Sequence, residues 1–325
     1  MLYVTTRNHQ NAVTVQHVLF ENTGPDSGLY LPLHFPVLSG ADLTKFTEVS
    51  FNQRIAEMLN MFFCTKLTGW DVDFAIGRYP VRLHPLSHRI IMAETWHNPK
   101  WRYFNLEKKL LDLIGGQADA SGNWLSVAVR MAILAAILME QTDNTAGKVD
   151  ICCDSGDFTV PVSAWYLRKM GFPIGNIICC SNESNGIWDL ICLGQMKTDS
   201  ELPVNLERLI HGCGGIAETE QYVKCCNNKE VYSVSDWVLQ ELRMGLHVSV
   251  VSENRTEMII PNVFNTHNYV LQSRSALAYS GLMDYRAKTG VTRSALVFCD
   301  ESPVCEAAFV AKCMSLSKEE FLRFF

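Results

Sequence analysis

Over SFNQRIAEMLNMFF, residues 50–63, apolar positions recur at helical intervals behind a serine placed to cap a helix. Upstream, residues 13–36 carry a short helical pattern, the turn Gly24-Pro25-Asp26-Ser27-Gly28 and the apolar run Leu29-Tyr30-Leu31-Pro32, whose proline predicts the edge or end of a strand. Together these segments predict a mainly helical N-terminal unit over residues 1–90. Arg89-Ile90-Ile91-Met92 reads as a strand, and Asn105 can cap a helix that stops at Gly115-Gly116. The longest apolar stretch, Trp124 to Met139, is interrupted by Ser126 and Arg130 and is shorter than the about 20 residues of a membrane span, so it predicts a buried helix.

The pattern changes at Val149. VDICCDSGDFTVPVSAWYLRKMGFPIGNIICCSNES parses as a strand (Val149–Cys153), a tight loop (Asp154–Thr159), a helix (Val162–Met170) and a strand (Asn176–Cys180). A βαβ unit of this kind implies a parallel sheet, and the fold class is therefore α/β. His247–Val251 and Ala295–Cys299 can add strands, while Ser273–Met283 and Lys318–Phe324 read as helices, which gives an α/β core over residues 91–325.

Composition narrows the function classes. With 48% hydrophobic and 19% charged residues, the 325-residue chain can bury a large core. A net charge of −6 offers no broad positive field, which disfavours nucleic acid as a partner, and no helix-turn-helix pattern stands out. The nine histidines show no H-E-x-x-H spacing, and no metal is expected. None of the 12 cysteines forms a C-x-x-C pair, and six are adjacent neighbours: Cys152-Cys153, Cys179-Cys180 and Cys225-Cys226. Neighbours point to opposite faces of a strand, so these predict buried thiols in a reducing compartment rather than a zinc site or a disulfide framework. The N-terminus lacks a basic segment followed by an apolar run, so a cytoplasmic protein without membrane association is expected.

The loop Asp154-Ser155-Gly156-Asp157-Phe158-Thr159 joins a strand to a helix, where backbone N–H groups and the helix dipole can hold a phosphate. Its chemistry opposes that use. Asp154 and Asp157 place carboxylates at the mouth, and a single glycine lets backbone approach a ligand. The alternative is that Asp157 or Thr159 caps the helix, with Pro161 in its first turn.

Several blocks in order resemble threonine synthase, a pyridoxal-phosphate enzyme of the tryptophan-synthase-like fold type II. Thr5-Thr6-Arg7 resembles that family's S-T-R-G, and Asp26 to Pro32 its D-G-G-L-Y-x-P. Glu94-Thr95-Trp96-His97-Asn98-Pro99 resembles the start of E-L-F-H-G-P-T-L-A-F-K-D, and Asp154 to Gly171 resembles P-S-G-N-F-G with its following helix. Ser181-Asn182 resembles T-N, SRSALAY at Ser273–Tyr279 resembles P-H-T-A-V-A-Y, and Asp300-Glu301-Ser302-Pro303 resembles T-A-H-P. The resemblance implies a parallel-sheet core of the pyridoxal-phosphate type, with ligand-binding candidates at Ser155, Gly156, Asp157, Phe158, Thr159, His97, Asn182 and Arg274.

The departures bear on activity. Counting from His97, the family's Schiff-base lysine falls on Phe104 and the next aspartate on Asn105, and a phenyl ring cannot form an aldimine. The phosphate loop's asparagine becomes Asp157 and its second glycine Thr159; family histidines align with Arg274 and Ser302, and a lysine with Cys305. Lys108, about one helical turn beyond Phe104, could substitute only by a register shift; otherwise Lys108 and Lys109 are solvated charges, and Trp96, Trp101, Tyr103 and Phe104 fill the vacated cofactor space. GGQADASGN bridges the position where the family inserts a small domain, which places a deletion near residues 115–123. The expectation is a protein that has lost catalysis by pyridoxal phosphate, with no cofactor and no catalytic residue. It would bind a protein partner or a small metabolite in a regulatory role, with a homodimer among the candidates. The alternative is a lyase or threonine synthase that keeps pyridoxal phosphate or another phosphometabolite in a non-standard site, with Arg274 supplying the missing cation.

Overall fold

A computed structural model describes residues 1–97, 105–116, 122–142, 147–182, 186–199 and 201–325. The central sheet has the order β10 (Leu246–Val250), β7 (Ile174–Ser181), β6 (Val149–Asp154), β11 (Ala295–Cys299), β5 (Ile90–Glu94), β4 (Arg82–Ser87). The first five strands run parallel, and β4 closes one edge antiparallel to β5. β11 is buried at every position and β6 at all but its last, as strands covered on both faces must be. The predicted strands lie here within three residues of their expected ends. β4 was not foreseen, because its alternation is weak and Pro85 interrupts it; at the edge of the sheet the missing proline N–H costs no ladder bond.

The N-terminal unit is not purely helical. β2 (Val13–Thr14), β1 (Leu2–Thr5) and β3 (Tyr30–Pro32) form an antiparallel sheet in that order, which puts Pro32 on an edge strand as expected. Around it lie α1 (Val15–Phe20), α2 (Gly40–Glu48), α3 (Phe51–Phe63) and α4 (Gly69–Ile76). α3 starts where predicted, with the Ser50 hydroxyl accepting from the Gln53 N–H at 3.3 Å. β4, from the 1–90 segment, belongs to the central sheet.

α5 (Leu106–Leu113) is capped by Asn105, whose Oδ1 accepts from the Lys108 N–H at 2.8 Å, and α6 (Trp124–Thr142) follows after ten residues. A ten-residue connection cannot form a domain. α6 is long and apolar enough to cross a membrane by composition, yet here it is the core helix, packed between α3 and α7 (Thr159–Met170). Trp124 is fully buried, its ring meeting Tyr3, Phe35, Phe62 and Tyr166 at centroid distances of 5.6–6.2 Å. α7 begins three residues earlier than the sequence pattern suggested.

Beyond β7 come α8 (Ile187–Leu193), the ribbon of β8 (Gln195–Lys197) and β9 (Val231–Ser233), α9 (Leu206–Asn228) and α10 (Asp236–Arg243). α9 escaped prediction because Gly212, Gly214 and Gly215 break its pattern, and Gly215 sits at φ 69°, outside helical space. α11 (Glu253–His267), α12 (Ser273–Thr289), α13 (Ala307–Cys313) and α14 (Lys318–Phe321) complete the chain. α6 and α7 lie on one side of the sheet with α9 packed outside α7, and α12 covers the other side with α11 and α13 in the same cluster. Cys153 and Cys179 pack with the first group and Cys152 and Cys180 with the second, the strand alternation expected of adjacent cysteines. Cys225-Cys226 departs from that expectation: it lies in the last turns of α9, not on a strand.

The N-terminal unit is tied to α9. Arg7 grips Glu207 through Nε (3.0 Å) and Nη2 (2.9 Å), and the Nε2 atoms of His9 and His211 share a hydrogen bond of 2.9 Å. Burial, then the neighbouring His9, lowers His211 to about 4.

Trp124→Ala should cost roughly 3–5 kcal/mol in chemical denaturation, the range for deleting a large core aromatic. For His211 the folded pKa lies below the unfolded one, so its stability contribution is full above about pH 6.5 and is lost as pH falls toward 4. Denaturation curves of His211→Asn should therefore fall less steeply than wild type between those limits, by up to roughly 3 kcal/mol overall.

Candidate functional site

The parallel strands β6, β11 and β5 end on one side of the sheet, where Asp154, Asp300 and Thr95 follow one another across it. The loop after β6 is wound on itself. The Ser155 N–H donates to the Cys180 carbonyl (2.7 Å) and the Phe158 N–H to the Ser155 carbonyl (2.8 Å). Gly156 and Phe158 both lie in the left-handed region, at φ 38° and 68°. Phe158 occupies the position that flanks α7, but its side chain is buried in the core; the capping oxygen comes from Asp157, whose Oδ1 accepts from the Thr159 N–H at 3.0 Å. The Thr159 hydroxyl donates back to Asp157 Oδ2 at 2.7 Å. Asn205, just before α9, donates to Thr159 Oγ1 at 2.9 Å and to the Asp157 carbonyl at 3.2 Å. Behind it, the buried Arg208 donates to the Tyr30 carbonyl at 2.9 Å and to Asn205, and burial lowers Arg208 to about 10.

Arg274, at the start of α12, reaches over this loop. Its Nε donates to Asp154 Oδ2 at 2.7 Å, and its Nη2 would lie 3.0 Å from a Cβ placed on Gly156. Burial works against both charges, and the Asp154 carboxylate still holds Arg274 above its usual range. A second cation comes from inside α6. Arg130 donates from Nη1 to Asp300 (2.6 Å) and from Nη2 to Glu107 of α5 (2.5 Å), with its guanidinium 5.0 Å from the Phe298 ring centre. Burial opposes its charge, and Asp300 and Glu107 more than offset that, so Arg130 stays ionised.

These groups wall two adjoining hollows. One, of about 320 Å3, is bounded by the loop, Arg130, Arg274, Glu107 and Asp300. The other, of about 390 Å3, shares the last four and adds Thr95, Trp96, Asn105, Glu301, Ser302 and Cys305. Ser302 does not face a ligand as a base would; its hydroxyl accepts from the Val304 N–H at 3.3 Å and caps a 3-10 turn.

Five candidates thus converge: Ser155, Gly156, Asp157, Thr159 and Arg274. Three do not. Phe158 is core, Asn182 accepts from the Thr256 hydroxyl at 3.2 Å, and His97 stands 3.8 Å from Glu94 Oε2, all outside both linings. Phe104, with Lys100, Trp101 and Tyr103, lies outside the described residues. Sequence reasoning missed Arg130, Glu107 and Asp300 as site residues. The signal was present in Arg130, a lone cation within an otherwise apolar helix, which must have carboxylate partners once buried.

A phosphate dianion fits this loop poorly. Three of the loop's N–H groups, those of Ser155, Phe158 and Thr159, are already bonded within the protein, Asp154 and Asp157 present negative charge, and the nearest cation is paired through its Nε with Asp154.

With this geometry in place, comparison with known proteins gives a consistent picture. Residues 2–77 match the sequence family described as threonine synthase N terminus. Threonine synthase-like 1 of Homo sapiens and that of Pongo abelii are each 25% identical over 146 residues, covering 40% of this chain and 20% of the relative. The match therefore spans about one fifth of those curated relatives. Among solved structures, pyridoxal-phosphate-bound threonine synthase from Brucella melitensis superposes with a TM-score of 0.84 at 15% identity, covering 97% of this chain and 92% of that one. Yeast threonine synthase gives 0.82 at 12% identity, covering 97% and 90%. The chain thus matches the threonine synthase N terminus in sequence over residues 2–77 and shares the α/β fold of solved threonine synthases.

Proposed function

We propose that this chain is a non-catalytic threonine-synthase-like protein that has exchanged cofactor chemistry for binding of a small metabolite or protein partner in a regulatory role. The observation that carries this reading is the Arg274–Asp154 ion pair laid across Gly156, in the place where a phosphate would need free backbone donors. Two further points support it. Phe104 stands at the position of the family's lysine, and ten residues between α5 and α6 leave no room for a domain that closes over a cofactor and excludes water. The opposite reading, a phosphometabolite enzyme using Arg274 as its cation, would rely on the Nη groups of a guanidinium whose Nε stays on Asp154, with that carboxylate offsetting much of its charge. Without an aldimine-forming lysine, the site's groups hold one another in place and have no reacting atom to act on.

Two measurements test this. Purified protein mixed with pyridoxal phosphate should give no reducible absorption band, and borohydride treatment followed by mass spectrometry should find no adduct on Lys108 or Lys109. An adduct there, or turnover of O-phosphohomoserine that depends on pyridoxal phosphate, would sink the non-catalytic reading. If the ion pairs are structural, Arg130→Met should destabilise the fold by roughly 3–5 kcal/mol near neutral pH by leaving Asp300 and Glu107 uncompensated. The loss should shrink in acid as the stranded carboxylates take up protons.

A further inference from the structure

We propose that the end of the sheet opposite the hollows is a docking surface for an acidic protein segment, rich in Asp and Glu, received by Arg89 and Arg286. The surface is separate from the strand-end site and stands whether or not that site is catalytic. It lies where β5 and β11 begin and α12 ends. Arg89, in the turn between β4 and β5, donates from Nη1 to the Thr292 carbonyl at 2.8 Å and to the Thr292 hydroxyl at 2.9 Å. Arg286, in the last turn of α12, donates from Nη2 to the Arg89 carbonyl at 3.1 Å and to the Arg293 carbonyl at 2.7 Å. Both guanidiniums are thus anchored on the same short segment before β11, Thr292-Arg293.

The partners of these two arginines are all neutral, so the forks are fixed in place with their charge uncompensated among the described residues. Carboxylates on the neighbouring elements are committed elsewhere: Asp150 of β6 holds Arg293 at 2.7 Å, and Asp284 of α12 holds Arg255 at 2.6 Å. Residues 143–148, which lead into β6, carry one aspartate and one lysine and so add no net charge. The free donors are accessible. Arg89 is exposed, and the Nε and Nη1 of Arg286 have no protein partner yet are not buried. Complementing the dipole of α12 explains Lys288 in its last turn. It does not explain Arg286, which turns to carbonyls of two other segments, or Arg89, which is on no helix. Arg89, Lys288, Thr289 and Thr292 are all exposed, so the patch is an open surface, which suits a protein segment better than a small metabolite. Guanidinium forks match planar carboxylates, and forks already fixed lose little freedom on binding. The net charge of −6 works against a nucleic acid or an anionic membrane, whose charge extends far beyond the patch.

The test is fluorescence anisotropy of a fluorescein-labelled peptide of repeated Glu-Asp-Gly titrated with the full chain, at low and high salt. Saturable binding is expected at low salt and should weaken several-fold at high salt. Arg89→Gln and Lys288→Gln, both at exposed positions and checked for native circular dichroism, should each weaken it by roughly threefold to tenfold, the scale of one charge-assisted contact. Arg89→Lys, which keeps the charge without the fork, should weaken it less than Arg89→Gln does. Lys66→Gln, which removes an exposed charge from the N-terminal unit, should leave it unchanged. No saturation, or equal weakening by Lys66→Gln, overturns the inference. So does binding of duplex DNA or of phosphatidylserine vesicles as tight as that of the peptide.

Discussion

Burial of α6 on nearly all sides is the constraint from which most of the structure follows. A helix whose residues from Trp124 to Met139 are almost all inaccessible needs a partner on every face, and it finds them in α3, α7 and the central sheet. That demand draws the N-terminal unit onto the core, with Tyr3, Phe35 and Phe62 closing around Trp124. It also fixes the chemistry at the strand ends. Arg130 is largely withdrawn from water on this helix, and carboxylates from α5 and from the end of β11 pair with it.

At the strand-end site charged groups are paired with one another within the protein. An anion cradle works because backbone donors and a helix dipole are left unsatisfied until the anion arrives. In this loop Asp157 satisfies the first donor of α7, the sheet satisfies Ser155, and Arg274 is held by Asp154. Among the described residues the lining holds more carboxylates than cations, at a place where parallel α/β sheets commonly bind ligands.

The loop is also coupled to distant parts of the chain through ordinary hydrogen bonds. Asn205 joins Thr159 to Arg208, and Arg208 holds the carbonyl of Tyr30 in the N-terminal sheet. Next along α9, Glu207 binds Arg7 and Thr6. The start of α9 is therefore a post against which the N-terminal unit and the Asp154–Thr159 loop are both braced. A fully buried arginine held, among the described residues, by a carbonyl, an amide and the ring of Trp124 is costly, and it is retained where it ties three segments together.

By itself the sequence determined the α/β class, the central strands and the helices with clear caps, because continuous apolar runs and the Ser50 and Asn105 caps act over a few neighbouring residues. It also located the loop at Asp154–Thr159 and raised the electrostatic objection to a phosphate there. Local pattern could not reveal β4, broken by Pro85, or α9, broken by three glycines, since both are held by tertiary contacts that override weak propensity. Nor could it show that Arg274 pairs with Asp154 across 120 residues, or that Arg130 joins Glu107 to Asp300. His97 and Asn182 looked like site residues by their place in a motif, yet both lie outside the hollows, because a motif fixes order along the chain and not direction in space. Only the packed fold decides which charges are forced together and which are left to meet a ligand.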